Sequence, residues 1–199
     1  MREIPDDAYW GAQTSRAIDN YPISGERAHP EMIRAYARIK LACAETNLEM
    51  GRLPEEIAGA IVAACREVLE GKHHEQFVVD VYQAGAGVSF HMNVNETLSG
   101  RAAEILGRPR GDRSAVNPND HVNLGQSTND TFPTALHLAA IAVGRNLVEE
   151  IGRLADSFAR KGEEFAGIVK SGRTHLMDAV PVTLGQGFRA YAAALDYRR

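Results

Sequence analysis

The chain has 199 residues, 44% hydrophobic and 24% charged, with a formal net charge of −4. This is ordinary globular composition with room for one large domain or two modest ones, and Lys and Arg are scattered rather than gathered into the basic stripe that nucleic-acid binding needs. The longest nearly apolar run, IAGAIVAAC at 57–65, is far too short to span a bilayer, and the opening MREIPDDAYW has no apolar signal core, so a soluble cytoplasmic protein is expected.

In chain order, His29 and Pro30 open a helix carrying Met32, Tyr36, Ile39 and Cys43 on one face, closed by Gly51. Pro54 starts a second, with Ile57, Ile61, Cys65, Val68 and Leu69 at helical spacing and Gly71 at its end, so the two form a helix pair. Cys43 and Cys65, the only cysteines, lie inside these apolar patterns and read as two reduced core thiols in a reducing compartment. QFVVDVYQ at 76–83 is the most strand-like stretch, although too isolated to argue for a sheet. A glycine loop at 85–87 leads into a helix with Val94, Leu98 and Ile105 inward and Gly107 at its end; GRPRGDRSAVNPND then has the content of an exposed connection.

The longest element carries Leu136, Ala140, Val143, Leu147, Ile151, Leu154 and Phe158, one apolar stripe along a helix of about thirty residues. Such a stripe needs neighbours along its length and implies a bundle, with other subunits as partners. From Thr183 the pattern Leu184, Phe188, Tyr191, Leu195 begins another helix, and it stops at DYRR without a C-cap glycine. The chain therefore reads as part of a longer protein.

The chemistry is concentrated in polar loops. NPNDHVNLGQSTND at 117–130 holds ten short polar or histidine side chains in fourteen residues. Ser127 to Asp130 fits a helix-capping pattern, with Pro133 in the first turn, but capping uses only one or two of the ten. A helix N-terminus surrounded by neutral donors suits a carboxylate or phosphate. QAGAGVS, with Ser89, and KSGRTHLMDAVPVT, with Ser171, Arg173, Thr174 and His175, repeat the construction, each read as a loop ahead of a helix. If the three converge they can hold a ligand with more than one anionic group. No HExxH, CxxC, P-loop, GxGxxG or GxSxG pattern is present, so no metal, cofactor or hydrolase elbow is indicated.

NPNDHVNLGQSTNDTFPTA, SGRTHLMDAVPVTLGQ and GAGVSFHMNVNE together resemble blocks of the aspartase and class II fumarase superfamily, and the likeness runs from REIPDDAYWGAQTSRAIDNYPIS to the last residue. VVDVYQAGAG, QSTND and GFRAY are most similar to aspartate ammonia-lyases, with class II fumarases as the alternative and a non-catalytic helical scaffold as a second alternative. The resemblance implies a mainly all-α fold: an N-terminal domain over 1–127 and, from 128 to 199, the incomplete start of a long-helix bundle. It also implies a homotetramer whose active sites are shared between three subunits, acting on a small dicarboxylate without a cofactor, metal, nucleic acid or membrane.

By motif match, Thr174 and His175 become the catalytic candidates that contact a substrate carboxylate. Ser127, Thr128 and Asn129 hold the rest of the substrate, with Ser89 and Asn119 as further binding candidates. The family's base is a serine in a glycine-rich loop of a third block, which these 199 residues do not contain, so the chain by itself is not expected to turn over substrate. Three positions depart from the pattern: Val88 where a threonine is usual, His91 where asparagine is common, and Gly187 where an acidic residue is frequent.

Overall fold

A computed structural model of the chain describes residues 4–83 and 85–197. It is mainly helical: α1 (Ala12–Asn20), α2 (Pro30–Glu49), α3 (Glu55–Leu69), α4 (Val88–Ile105), α5 (Thr128–Glu164) and α6 (Leu184–Tyr197), with strands β1 (Val169–Thr174) and β2 (Met177–Thr183). The chain divides into two compact units between Ala140 and Ile141, inside α5, whereas the boundary expected from the sequence falls at the start of that helix. Among the described residues no helix is long and apolar enough to cross a membrane.

In the first unit, α2 begins where expected: Pro30 occupies the first turn and His29 Nδ1 accepts the Glu31 N–H at 3.1 Å, satisfying one of the donors a helix start leaves unpaired. Helices α2 and α3 pair, α4 packs on α3, and the core between them holds Tyr36, Ile61, Cys65, Phe77, Phe90, Val94 and Leu98. Both cysteines are free thiols, and burial pushes Cys65 up to about 12, so it stays protonated. Helix α1 has no side-chain cap of its own; instead the buried Glu96 carboxylate accepts from the N–H groups of Gly11, Gln13 and Thr14 at 2.8, 3.1 and 3.0 Å, while Arg113 pairs with it at 3.0 Å.

The strand-like stretch at 76–83 is not a strand. A 3-10 turn covers His74–Gln76, and the only pairing is an isolated bridge between Arg27 and Asp80. Side chains take the place of a neighbouring strand: Asn93 Oδ1 accepts from Val78 N–H and Asn93 Nδ2 donates to the Gln76 carbonyl. Asp80 collects the N–H groups of Ser24, Gly25 and Tyr82 at 2.7 to 2.8 Å. Burial pushes the Asp80 carboxyl up, but those donors outweigh it and hold the group at about 2.

Helix α5 runs for 37 residues, longer than the stripe predicts. Pro133 therefore sits inside the helix as its sixth residue, not in the first turn, and the Asn129 carbonyl has no helical N–H to accept. The neighbouring carbonyls of Ser127 and Asp130 gain side-chain donors from Thr131 and Thr134. Leu136, Val143, Leu147 and Leu154 are exposed along the stripe.

In the second unit β1 and β2 form an antiparallel hairpin with a bulge between Ser171 and Arg173, where the sequence reading has a loop. Pro181 is tolerated beside the bulge, opposite Ser171. Thr183 and Gln186 then make a reciprocal capping box at the start of α6: Thr183 N–H donates to Gln186 Oε1 at 2.8 Å and Gln186 N–H to Thr183 Oγ1 at 3.1 Å. Phe158 of α5 and Phe165, just past its end, meet Phe188 and Tyr191 of α6, and glycine at 185 is required because a Cβ there would lie 2.3 Å from the Gly162 carbonyl oxygen. Gly187 faces open space.

Candidate functional site

Most of the polar side chains between 117 and 130 are used internally. Asn117 Oδ1 caps a π-helical turn at Pro118–Val122 by accepting from the N–H groups of Asn119 and Asp120, and His121 Nδ1 accepts the Asn117 N–H at 3.0 Å. Ser127 Oγ accepts from the Asn129 N–H at 3.3 Å, which is the capping role expected of it, at the second helical position. Asn119, Asp120, Ser127, Asn129 and Asp130 are exposed, and Thr128 is half-buried. The stretch is thus an internally hydrogen-bonded shell with a short row of groups turned to solvent.

Beneath that row lies a buried polar cluster. Lys40, fully buried on α2, places its Nζ 3.0 Å from Asn123 Oδ1, 2.8 Å from Gln126 Oε1 and 2.8 Å from His91 Nε2. The other His91 nitrogen, Nδ1, is 2.6 Å from Thr128 Oγ1. Tyr36 stacks on the His91 ring at 5.4 Å, and its hydroxyl is 3.4 Å from Thr131 Oγ1. Burial lowers Lys40 to about 7, and burial together with the Lys40 charge lowers His91 to about 3, so the imidazole is neutral. No ion pair among the described residues involves Lys40; neutral acceptors alone surround its charge.

The glycine loop meets the same place. Gly87 caps α4 at φ +88°, and a Cβ on it would lie 2.0 Å from the Phe132 ring of α5, so only glycine allows the two helix starts to approach. Gln83 Oε1 accepts the Phe90 N–H at 2.7 Å and closes the loop. Val88 and Ser89 form the first two positions of α4, Val88 exposed and Ser89 half-buried. Ser89, Ser127, Thr128 and Asn129 therefore belong to two helix starts joined by the His91–Thr128 bond and the Gly87–Phe132 contact. Asn119 stands exposed on the π-helical turn, which packs on α4.

Thr174 and His175 lie in the second unit and not ahead of a helix. Thr174 ends β1 opposite Met177, and His175 and Leu176 form the two-residue turn with φ +50° and +61°. Positive φ at both positions is the twist a tight hairpin requires, usually supplied by Asn and Gly; here a β-branchless Leu, 97% exposed, adopts it at some cost. The turn presents both catalytic candidates at an exposed tip. Because it lacks the usual turn residues, the sequence carries no hairpin signal there.

Lys40 is the site-supporting residue that sequence reasoning missed. Its signal was available: a lysine four residues after Tyr36 and three before Cys43, in the middle of an apolar face. Among the described residues no group of three His, Cys, Asp or Glu side chains could hold a metal ion.

Comparison with known proteins gives a consistent family. A protein-family model described as lyase matches residues 1–199. An aspartate ammonia-lyase from Bacillus sp is 49% identical over 194 residues, and a class II fumarate hydratase from Pseudomonas aeruginosa is 51% identical over 196; each match covers 98% of this chain and 42% of the relative. Among solved structures, a Brucella melitensis protein described as fumarate lyase:delta crystallin superposes with a TM-score of 0.90 at 49% identity, covering 98% of this chain and 46% of that one. A class II fumarase from Schistosoma mansoni does so with a TM-score of 0.87 at 40% identity, covering 98% and 41%. The chain thus spans less than half the length of the relatives it matches.

Proposed function

Since the chain belongs to the lyase family matched along residues 1–199, with aspartate ammonia-lyases and class II fumarases among its relatives, we propose that the protein carrying it is a carbon–nitrogen lyase. It deaminates L-aspartate reversibly to fumarate and ammonia by anti elimination. The observation that carries this reading is the start of α5: Ser127, Thr128 and Asn129 present two hydroxyls and an amide at a helix N-terminus, over a buried cationic cluster. Such a surface suits a carboxylate.

Removal of the proton next to a carboxylate places negative charge on that carboxylate as an enediolate. Preorganised donors there stabilise the transition state by about 2.7–4 kcal/mol each, against about 0.3–1 kcal/mol from a helix terminus, so the side-chain donors outweigh the dipole. Thr128 and Ser127 serve as such donors, Ser89 and Asn119 as further contacts, and Asn129 offers its amide to the amino and carboxylate groups. Thr174 and His175 are supplied to the site by a subunit of a homotetramer in which three subunits share each site, consistent with the exposed turn and the uncovered stripe on α5. The enzyme works in the cytoplasm.

The alternative is a class II fumarase, which forms fumarate and water from malate; relatives of both names match about equally well. Fumarate release measured from L-aspartate and from L-malate, with the protein that carries this chain, separates the two. Ammonia from aspartate is expected; turnover of malate alone overturns the aspartase reading, and turnover of neither leaves the family scaffold without this chemistry.

A further inference from the structure

The hydrogen bonds behind Thr128 have a direction. An ammonium group has three donors and no acceptor, and Lys40 Nζ has three partners, Asn123 Oδ1, Gln126 Oε1 and His91 Nε2, at 2.8 to 3.0 Å. Two of them are amide oxygens that can only accept. The third contact is settled by which base holds the proton: Lys40, at about 7, binds it more tightly than His91, at about 3, so the ammonium donates and His91 Nε2 accepts. A neutral imidazole that accepts at Nε2 carries its proton on Nδ1. Nδ1–H then donates to Thr128 Oγ1 at 2.6 Å, and the hydroxyl proton of Thr128 must point to some other acceptor. Thr128 is half-buried, at the first position of α5, and its hydroxyl has no second partner among the described residues.

We propose that His91 is a positioning residue: held by Lys40 in the Nδ1-protonated form, it makes the Thr128 hydroxyl a one-way donor toward the anionic group of the substrate. The proposal rests on the reading that Thr128 contacts substrate. It assigns a purpose to a buried lysine without a carboxylate partner and to a histidine where the family resemblance leads one to expect asparagine. Tyr36, stacked on the ring at 5.4 Å, fixes the plane in which both bonds are made. Burial of His91 and of Lys40 disfavours the doubly protonated pair, so the imidazole does not compete by donating from both nitrogens.

The deciding experiment is neutron diffraction from deuterium-exchanged crystals of the protein that carries this chain, grown at about pH 6, where the Lys40 ammonium prevails over the free amine. Deuterium on His91 Nδ1, none on Nε2 and three on Lys40 Nζ are expected, with the Thr128 deuterium turned away from the ring. Deuterium on Nε2, or the Thr128 deuterium pointing at Nδ1, overturns the proposal. Kinetics separate it from the reading beneath it. Thr128→Val is expected to lower kcat/KM roughly 10- to 100-fold, as for a hydrogen bond to a charged group. His91→Phe is expected to lower it comparably, to add nothing in the Thr128→Val background, and to be partly rescued by His91→Asn, whose amide restores a donor to Thr128. If Thr128→Val has no effect, the substrate contact fails whatever the tautomer; if Thr128→Val is costly and His91→Phe is not, the contact stands and the positioning role falls.

Discussion

A Cβ added to Gly87 would sit 2.0 Å from the ring of Phe132, so the glycine before α4 and the phenylalanine in the second turn of α5 occupy one another's space. This contact, with the His91–Thr128 bond, sets the distance between the two helix starts that carry Ser89 and Thr128.

Gly87→Ala combines a left-handed φ of +88° with overpacking against that ring, and is expected to destabilise the fold by about 2–4 kcal/mol. Gly85→Ala, also at positive φ but with the nearest atom 3.2 Å away on Val88, is expected to cost about 1–2 kcal/mol. Urea denaturation of both variants checks the difference; equal costs would show that backbone conformation, not the ring, makes glycine necessary at 87.

Lys40 gives a stability dependence on the alkaline side. Its folded-state value of about 7 lies below the ordinary 10.5, so between those values the unfolded chain binds more protons than the folded one. Stability should therefore rise as pH increases from about 7 toward 10.5. The Lys40→Met variant is expected to lose that rise and to be destabilised by about 1–3 kcal/mol at alkaline pH, because Asn123 Oδ1, Gln126 Oε1 and His91 Nε2 lose their buried donor. Denaturation midpoints across the alkaline range test this. A variant that retains the slope would show that some other group titrates there.

On the acid side several groups act in the same direction, Asp80 at about 2 among them. His91 is lowered from 6.5 to about 3 by burial and the Lys40 charge; Glu67 is held at about 2 by its Arg101 hydrogen bonds against burial; Glu104 is held at about 2 by the Tyr9 hydroxyl and by Arg110 and Arg101. In each case the unfolded form binds more protons within the window, so their contributions are present above the unfolded value and lost as pH falls through the folded one. Stability is expected to decline from about pH 6.5 downward, steepening below 4.5 as the carboxylates join. His91→Asn should leave only the lower part of that decline, which a pH series of urea midpoints reads directly.

The hairpin turn offers a gain of stability. Leu176 is 97% exposed at φ +61°, so Leu176→Gly gives up no packing within the chain and relieves a left-handed conformation worth about 1–2 kcal/mol. A higher denaturation midpoint is expected. A lower one would mean that the leucine is covered by another subunit in the assembled protein, which the oligomeric state of the variant would reveal.

The sequence alone determined α2, α3, α4 and α6 and the start of α5, but not α1 or the full length of α5. Helical periodicity, the proline starts at 30 and 54, and the capping serine at 127 are local properties, read within a few residues of one another. The family resemblance was legible for the same reason, since its motifs are contiguous. The tertiary structure decided what local patterns cannot carry. Residues 76–83 look like a strand but find Asn93 and the turn at Ser24–Gly25 in place of a partner strand. Residues 169–183 look like a loop but pair with each other through a turn that lacks the usual residues. Of the polar side chains between 117 and 130, which face solvent and which are spent inside depends on Lys40, 83 positions before Asn123 and 86 before Gln126. A buried donor must find its acceptors wherever the packed helices place them, and those partners are set by the fold, not by spacing along the chain.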